Sequence, residues 1–203
     1  GTFIFNRFTP DNTRLVTTII GTGEEHLTYV WDLETGQQIM TFTTDSPSHA
    51  LFLNRQDGDV ILLSGGGQTI VINAQTGEQM NVLQGNVSTG PQTNGYILST
   101  SLFVTVSYVN SNYRSYLWDK NTFEQLFEIE GFVRHLPQKP YFLSVANFLD
   151  TDTTTSQFVD IQSGKPFYTF PEGLQISFNE ESDIFLSYSS LHNDVYLWRI
   201  VEN

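Results

Sequence analysis

One phrase, returning at a nearly constant interval, constrains this chain more than any other feature. It reads Tyr29-Val30-Trp31-Asp32-Leu33-Glu34-Thr35-Gly36-Gln37-Gln38-Ile39. It returns as Ile70-Val71-Ile72-Asn73-Ala74-Gln75-Thr76-Gly77-Glu78-Gln79-Met80 and as Tyr116-Leu117-Trp118-Asp119-Lys120-Asn121-Thr122-Phe123-Glu124-Gln125-Leu126. A fourth copy is Phe158-Val159-Asp160-Ile161-Gln162-Ser163-Gly164-Lys165-Pro166-Phe167, and a fifth begins Val195-Tyr196-Leu197-Trp198-Arg199. Anchored at Trp31, Ile72, Trp118, Val159 and Trp198, the steps are 41, 46, 41 and 39 residues.

Each copy has the same internal physics. An apolar strand ends at Asp or Asn, which can bond its own backbone and start a turn. Four residues later Gly36, Gly77 and Gly164 supply the positive φ that closes a bulged hairpin. Phe123 takes that place in the third copy, so the turn there must differ or be strained. An outer strand then leaves over 38–42, 79–83, 125–129 and 166–170. Upstream of each phrase lie β-rich runs at 15–20, 60–64, 103–107, 141–146 and 184–189. A further strand precedes each, at 2–5, 50–53, 96–98, 132–135 and 174–178. No segment sustains a helical period. A period near 40 to 45 residues with four short strands per unit is the mark of propeller blades. The weak alternation along the strands fits sheets covered on both faces.

The chain has 203 residues, enough for one large domain with a real core. Its 22 acidic residues against 9 basic ones, a net charge of -13, argue against nucleic-acid and anionic-lipid surfaces as partners. The absence of cysteine excludes disulfides, thiolate metal sites and a cysteine nucleophile. No apolar run approaches the length of a membrane helix, and Gly1-Thr2-Phe3 lacks the basic flank of a signal peptide. The expected compartment is intracellular, the cytoplasm.

These residues resemble the WD40-repeat family of β-propellers. Trp31-Asp32 and Trp118-Asp119 match its Trp-Asp ending, Phe8-Thr9-Pro10-Asp11-Asn12 is similar to its Phe-Ser-Pro-Asp-Gly turn, and Thr35-Gly36 and Thr76-Gly77 are similar to its turn into the outer strand. The family's Gly-His dipeptide is missing: His49 and His135 lie near its place, and neither follows Gly. The resemblance implies an all-β, WD40-like propeller of about five blades of four antiparallel strands, the last incomplete. The repeats run 1–42, 43–83, 84–129, 130–170 and 171–203, within one propeller domain or propeller portion. Either the chain is a portion of a larger, seven-bladed ring, which is the reading preferred, or it is a five-unit ring with an unpaired edge strand.

Candidate sites are few. His26, His49, His135 and His192 sit in four different copies at no ligand spacing, so isolated histidines are expected rather than zinc. Asp57-Gly58-Asp59 reads as a hairpin turn and Asp150-Thr151-Asp152 as a polar loop rather than as calcium sites. Gly65-Gly66-Gly67 leads into a strand, with no Lys or helix start, so it reads as a hairpin and not a phosphate loop. Trp31, Trp118 and Trp198 share one repeat position and are assigned to structure. No residue is read as catalytic, and no cofactor or metal is expected.

The resemblance implies a non-catalytic protein-interaction scaffold within a larger protein or complex. Partner-binding candidates are Tyr113 and Arg114 in the longer loop of copy three, and Phe132, Arg134 and His135 where copy four begins. The partner is expected to be a protein, with a basic surface to suit the acidity. The open edge strand is expected to pair with the rest of the parent chain or with another subunit. The alternative is an enzyme or small-ligand binder with a site on a central axis, to which Asp45, His49, Gln92, Arg134 and His135 would lie nearest.

Overall fold

The structure, a computed structural model, describes residues 3–9, 11–20, 26–44, 49–87, 101–109, 112–136, 139–148, 153–171, 174–178, 184–189 and 194–199. Among them there are strands, turns and bends and no helix. Five antiparallel sheets follow one another along the chain. The first is β1 (Phe3–Phe8), β2 (Arg14–Ile20), β3 (His26–Asp32) and β4 (Gln38–Thr44). The second is β5 (His49–Leu53), β6 (Val60–Gly65), β7 (Gln68–Asn73) and β8 (Gln79–Gln84). The third is β9 (Leu102–Val109), β10 (Asn112–Asp119) and β11 (Gln125–Glu130). The fourth is β12 (Phe132–His135), β13 (Tyr141–Phe148), β14 (Thr153–Asp160) and β15 (Pro166–Thr169), and the fifth is β16 (Leu174–Phe178), β17 (Ile184–Ser189) and β18 (Asp194–Arg199). Each strand is a hairpin neighbour of the next, so the sequence order is the sheet order. The strand expected at 96–98 lies outside the described residues.

The chain forms two compact units. One holds Gly1–Thr89, Thr105–Ser107 and Asp119–Glu124; the other holds Gly90–Val104, Tyr108–Trp118 and Gln125–Asn203. In the first, Val16 and Val30 of sheet one pack on Ala50, Phe52, Ile61, Leu63 and Ile72 of sheet two. In the second, Leu143 and Phe158 of sheet four pack on Leu174, Phe185 and Trp198 of sheet five. Burying each such side chain is worth roughly 1.5–3 kcal/mol, so these face-to-face contacts supply the main driving force.

The repeated turn is built the same way four times. Gly36, Gly77, Phe123 and Gly164 donate N–H to the carbonyls of Asp32, Asn73, Asp119 and Asp160 at 2.9–3.0 Å. All four have φ between 58° and 74°. The register slips by one residue just before the anchor in each of these copies, at Val30/Trp31, Val71/Ile72, Leu117/Trp118 and Phe158/Val159. The third turn therefore does not differ from the others: Phe123 itself enters the left-handed region, at a cost of about 1–2 kcal/mol.

A second repeated device was not anticipated. Three residues before the anchor stand Thr28, Thr69, Ser115 and Ser156, all 1% exposed or less. Thr28 Oγ1 shares a hydrogen bond with Thr18 Oγ1 at 3.0 Å, and the other three hydroxyls reach toward the following sheet. Thr69 Oγ1 donates to the Gly85 carbonyl at 2.8 Å, Ser115 Oγ to that of Gly131 at 2.7 Å, and Ser156 Oγ to that of Leu174 at 3.4 Å. From the other side Thr105 Oγ1 donates to the Gln84 carbonyl and Ser144 Oγ to that of Glu130. Gly85 and Gly131, at φ 81° and 92°, are where these connections press on backbone: a Cβ on Gly131 would collide with Val145 and Ala146.

Replacing Thr69 with the isosteric Val removes a buried donor and leaves the Gly85 carbonyl without its hydroxyl. The expected loss is about 1–3 kcal/mol, which lowers the thermal midpoint by several degrees in a chain of this size. Thr43→Val, on the exposed side of β4, is expected to change stability by less than about 0.5 kcal/mol. Equal midpoints for the two variants in a thermal melt would refute this role for the hydroxyl.

Candidate interaction surface

In sheet two the hairpin between the second and third strands lies at the same end as the segment leading to the next sheet: Gly65 pairs with Gln68 and Gln68 with Gln84. Gly66 and Gly67, at φ 61° and 85°, make that hairpin a two-residue turn of the kind that needs positive φ twice, in agreement with the hairpin reading.

At the corresponding end of sheet three stands an aromatic group. Tyr113 and Arg114, expected in a longer loop, instead lie in strand as the second and third residues of β10, and the Tyr113 carbonyl accepts the N–H of Gly131 at 2.7 Å. That bond seats Phe132, the first residue of β12, with its ring centroid 3.8 Å from that of Tyr113. Tyr108, near the end of β9, has its ring centroid 4.8 Å from that of Tyr113 and is 55% exposed. The structure thus joins two of the expected residues, Tyr113 and Phe132, and adds Tyr108.

Of the other expected residues, Arg114 lies off this group, while Arg134, two residues after Phe132, shares that residue's face of β12. Arg114 follows Tyr113 along an alternating strand, and its Nη1 meets Glu128 Oε1 at 2.5 Å with both side chains half exposed. Such a pair is worth little to stability and keeps Arg114 on the polar flank. Arg134 is half-buried on β12 and makes no hydrogen bond or ion pair with Tyr108, Tyr113 or Phe132 among the described residues. The backbone of His135 pairs with Phe142, and that of His49 with Ser64; their side chains lie outside the described residues, as do Asp45 and Gln92.

The opposite end of the first unit carries an arginine clasp. Arg14 and Arg55 stand 17 residues before their anchors. Arg14 Nη1 donates to the Ala74 carbonyl in the turn of the next copy. Arg55 Nη2 donates to the Asn121 carbonyl, likewise in the next copy's turn, at 2.5 Å and to Asp57 Oδ2 at 2.6 Å. The guanidinium lies 4.4 Å from the centre of the Phe123 ring, and the Arg55 side chain is only 4% exposed. This stacking explains why Phe tolerates a glycine position: the ring roofs a buried cation. Asp57, read as part of a hairpin turn, is also the partner of Arg55.

The turn carboxylates have a common chemistry. Asp32, Asp119 and Asp160 each accept from the backbone N–H and the hydroxyl of Thr35, Thr122 and Ser163, and these bonds hold their carboxyls below the ordinary value of 3.8. Asp11 is lowered likewise, first by the Thr9 hydroxyl and then by Thr13. Asn73 fills the same role without a charge, accepting from Gln75 and Thr76.

Trp31 Nε1 donates to Thr17 Oγ1 at 2.9 Å and Trp198 Nε1 to Ser187 Oγ at 2.7 Å, so both tryptophans tie adjacent strands together. His26, at the start of β3, is buried and its Nδ1 finds no partner among the described residues. Asp150 and Asp152 lie outside the described residues; among those described, no three His, Cys, Asp or Glu side chains converge to hold a metal ion. No helix of the described residues is long and apolar enough to cross a membrane. A hollow of about 380 Å³ is lined by Thr43, Thr44, Leu63, Gly65, Gly66, Gln68 and Ile70, none of them titratable. One of about 370 Å³ is aromatic, lined by Phe158, Phe167, Tyr168, Phe185 and Trp198 with Arg199.

No protein-family model and no curated protein matches the chain. Solved structures do resemble it. The dihydro-heme d1 dehydrogenase NirN, solved in complex with DHE, superposes with a TM-score of 0.62 at 15% identity over 83% of this chain and 38% of its own. The Dos1 propeller gives 0.55 at 16% identity over 98% and 56%. A chain of the mitotic checkpoint complex gives 0.52 at 15% identity over 98% and 62%. This chain therefore spans less than two thirds of each, and the likeness shows the fold: an all-β propeller.

Arg55→Ala is expected to lower stability by about 2–3 kcal/mol, because two hydrogen bonds to a buried cation and its aromatic contact are lost together. Phe123→Gly, which relieves the left-handed strain, should still destabilise, since the ring's burial outweighs it. Denaturant melts of the two single variants and the double variant check this, and strictly additive losses would refute the coupling. The lowered carboxyls set an acid limit. Their stabilisation is fully present above about pH 4 and is lost as pH falls through their depressed folded values. Changing Asp32, Asp119 and Asp160 together to Asn, as at Asn73, should flatten the midpoint's dependence on pH below about pH 4 while sparing the fold. An unchanged acid profile would refute the assignment.

Proposed function

We infer that this chain is a non-catalytic, WD40-like platform for protein binding, acting as one repeat domain inside a larger intracellular protein or complex. The observation that carries the reading is the group Tyr108, Tyr113 and Phe132 at the hairpin end of sheet three. It presents an exposed aromatic on two others fixed by the Tyr113 carbonyl and Gly131. Rigid aromatic side chains give large contact area at small entropic cost, and they dominate interface energetics. Arg114 and Glu128 supply a polar rim beside it. The presence of a similar propeller chain in the multi-protein mitotic checkpoint complex fits this use. The net charge of -13 favours a partner with a basic face.

The test places a photo-crosslinking residue at Tyr108 in the parent protein and identifies what it captures by mass spectrometry. A stoichiometric protein partner is expected, and Tyr108→Ala should weaken its binding roughly 10- to 30-fold without changing the melting curve. Binding that is indifferent to Tyr108→Ala, or thermal stabilisation by a small ligand with no protein captured, would overturn the reading in favour of a ligand-binding or enzymatic propeller.

A further inference from the structure

Arg134 is an arginine that the chain leaves without an anion. With 22 acidic residues against 9 basic ones, carboxylates are plentiful. Arg14, Arg55 and Arg114 each reach a carbonyl or a carboxylate, and Arg7 and Arg199 are exposed to water. Arg134 is half-buried, and among the described residues its guanidinium makes no hydrogen bond or ion pair.

Its neighbours on the sheet carry no charge. Leu143 stands opposite Arg134 in the register, with Tyr141 and Val145 on the diagonals. The described sheet-five residues that pack on this face, Leu174, Ile176 and Phe185, are apolar too. In sheet three, Glu128 and Glu130 stand on the face of Arg114, opposite to that of Tyr113.

The place of Arg134 bears on docking. It lies two residues from Phe132 on one face of β12, roughly 6–7 Å along the strand. A protein that docks on Tyr108, Tyr113 and Phe132 with a footprint of ordinary size covers about 800 Å². Such a footprint extends over Arg134 as well. Docking then strips water from the guanidinium, and donors left without an acceptor oppose binding. A partner that binds here must therefore bring an acceptor, and a carboxylate matches the planar fork with two parallel hydrogen bonds.

We propose that the partner places an Asp or Glu on Arg134, beside an apolar or aromatic residue that packs on Tyr108. The proposal rests on the reading of the Tyr108 group as the docking site and names the chemistry that site selects. It agrees with a partner that is basic elsewhere, because net charge steers approach over distance while Arg134 acts at contact.

The test selects random peptides on the parent protein, then measures their binding to variants and the melting curve of each variant. Peptides whose binding needs Tyr108 are expected to carry Asp or Glu close to an aromatic or aliphatic side chain. Arg134→Gln should weaken them roughly 30-fold or more with the melting curve kept. Arg134→Lys should recover part of the loss, and Arg134→Glu should select Lys or Arg in place of the acid. Peptides that need Tyr108 but carry no acid, or that bind Arg134→Gln as tightly, overturn this proposal and leave the docking site standing. A melting temperature lowered by Arg134→Gln overturns it too, since the guanidinium is then held within the chain. Selection that yields no peptide dependent on Tyr108 overturns the docking site and the proposal together.

Discussion

A sheet covered on both faces cannot orient itself by having a wet side and a dry side. The fold of this chain depends on how such sheets are joined. Apolar contact is strong and non-directional, and it alone would let one sheet slide over another. The buried hydroxyls remove that freedom. Thr69 and Ser115 hold the carbonyls of Gly85 and Gly131, the residues at which the chain leaves one sheet for the next. Thr105 and Ser144 hold the carbonyls one residue earlier, from strands of the sheets that follow. Each connection is gripped from two sides, and a buried unpaired carbonyl is the cost of any other register. The positive φ of Gly85 and Gly131 and their contact with backbone follow from this grip.

The other end of sheets one, three and four is fixed by a charged turn rather than by burial. The turn carboxylates face water and satisfy backbone N–H groups that the bulge leaves outside the ladder. This is a use for acidity that has nothing to do with a partner, and part of the acidic excess is spent there. Arg14 and Arg55 then bridge from one copy to the turn of the next. Phe123 shows the balance of forces: left-handed strain is accepted because the ring covers a guanidinium that would otherwise lie under bare backbone.

The period, the strand order and the glycine turns were legible because each rests on local chemistry that repeats. The hydroxyl position was written just as plainly, as Thr28, Thr69, Ser115 and Ser156 three residues before the anchor. Thr and Ser are ordinary strand residues, and what distinguishes these is a carbonyl some 16 to 18 residues away. The arginine at 17 residues before the anchor escaped notice because it recurs only in the first two copies. At the rim, Tyr113 and Phe132 could be paired as loop aromatics, but Arg114 could not be separated from Tyr113 until strand alternation placed it beside Glu128. Tyr108 was hidden at the end of a strand expected to stop at 107.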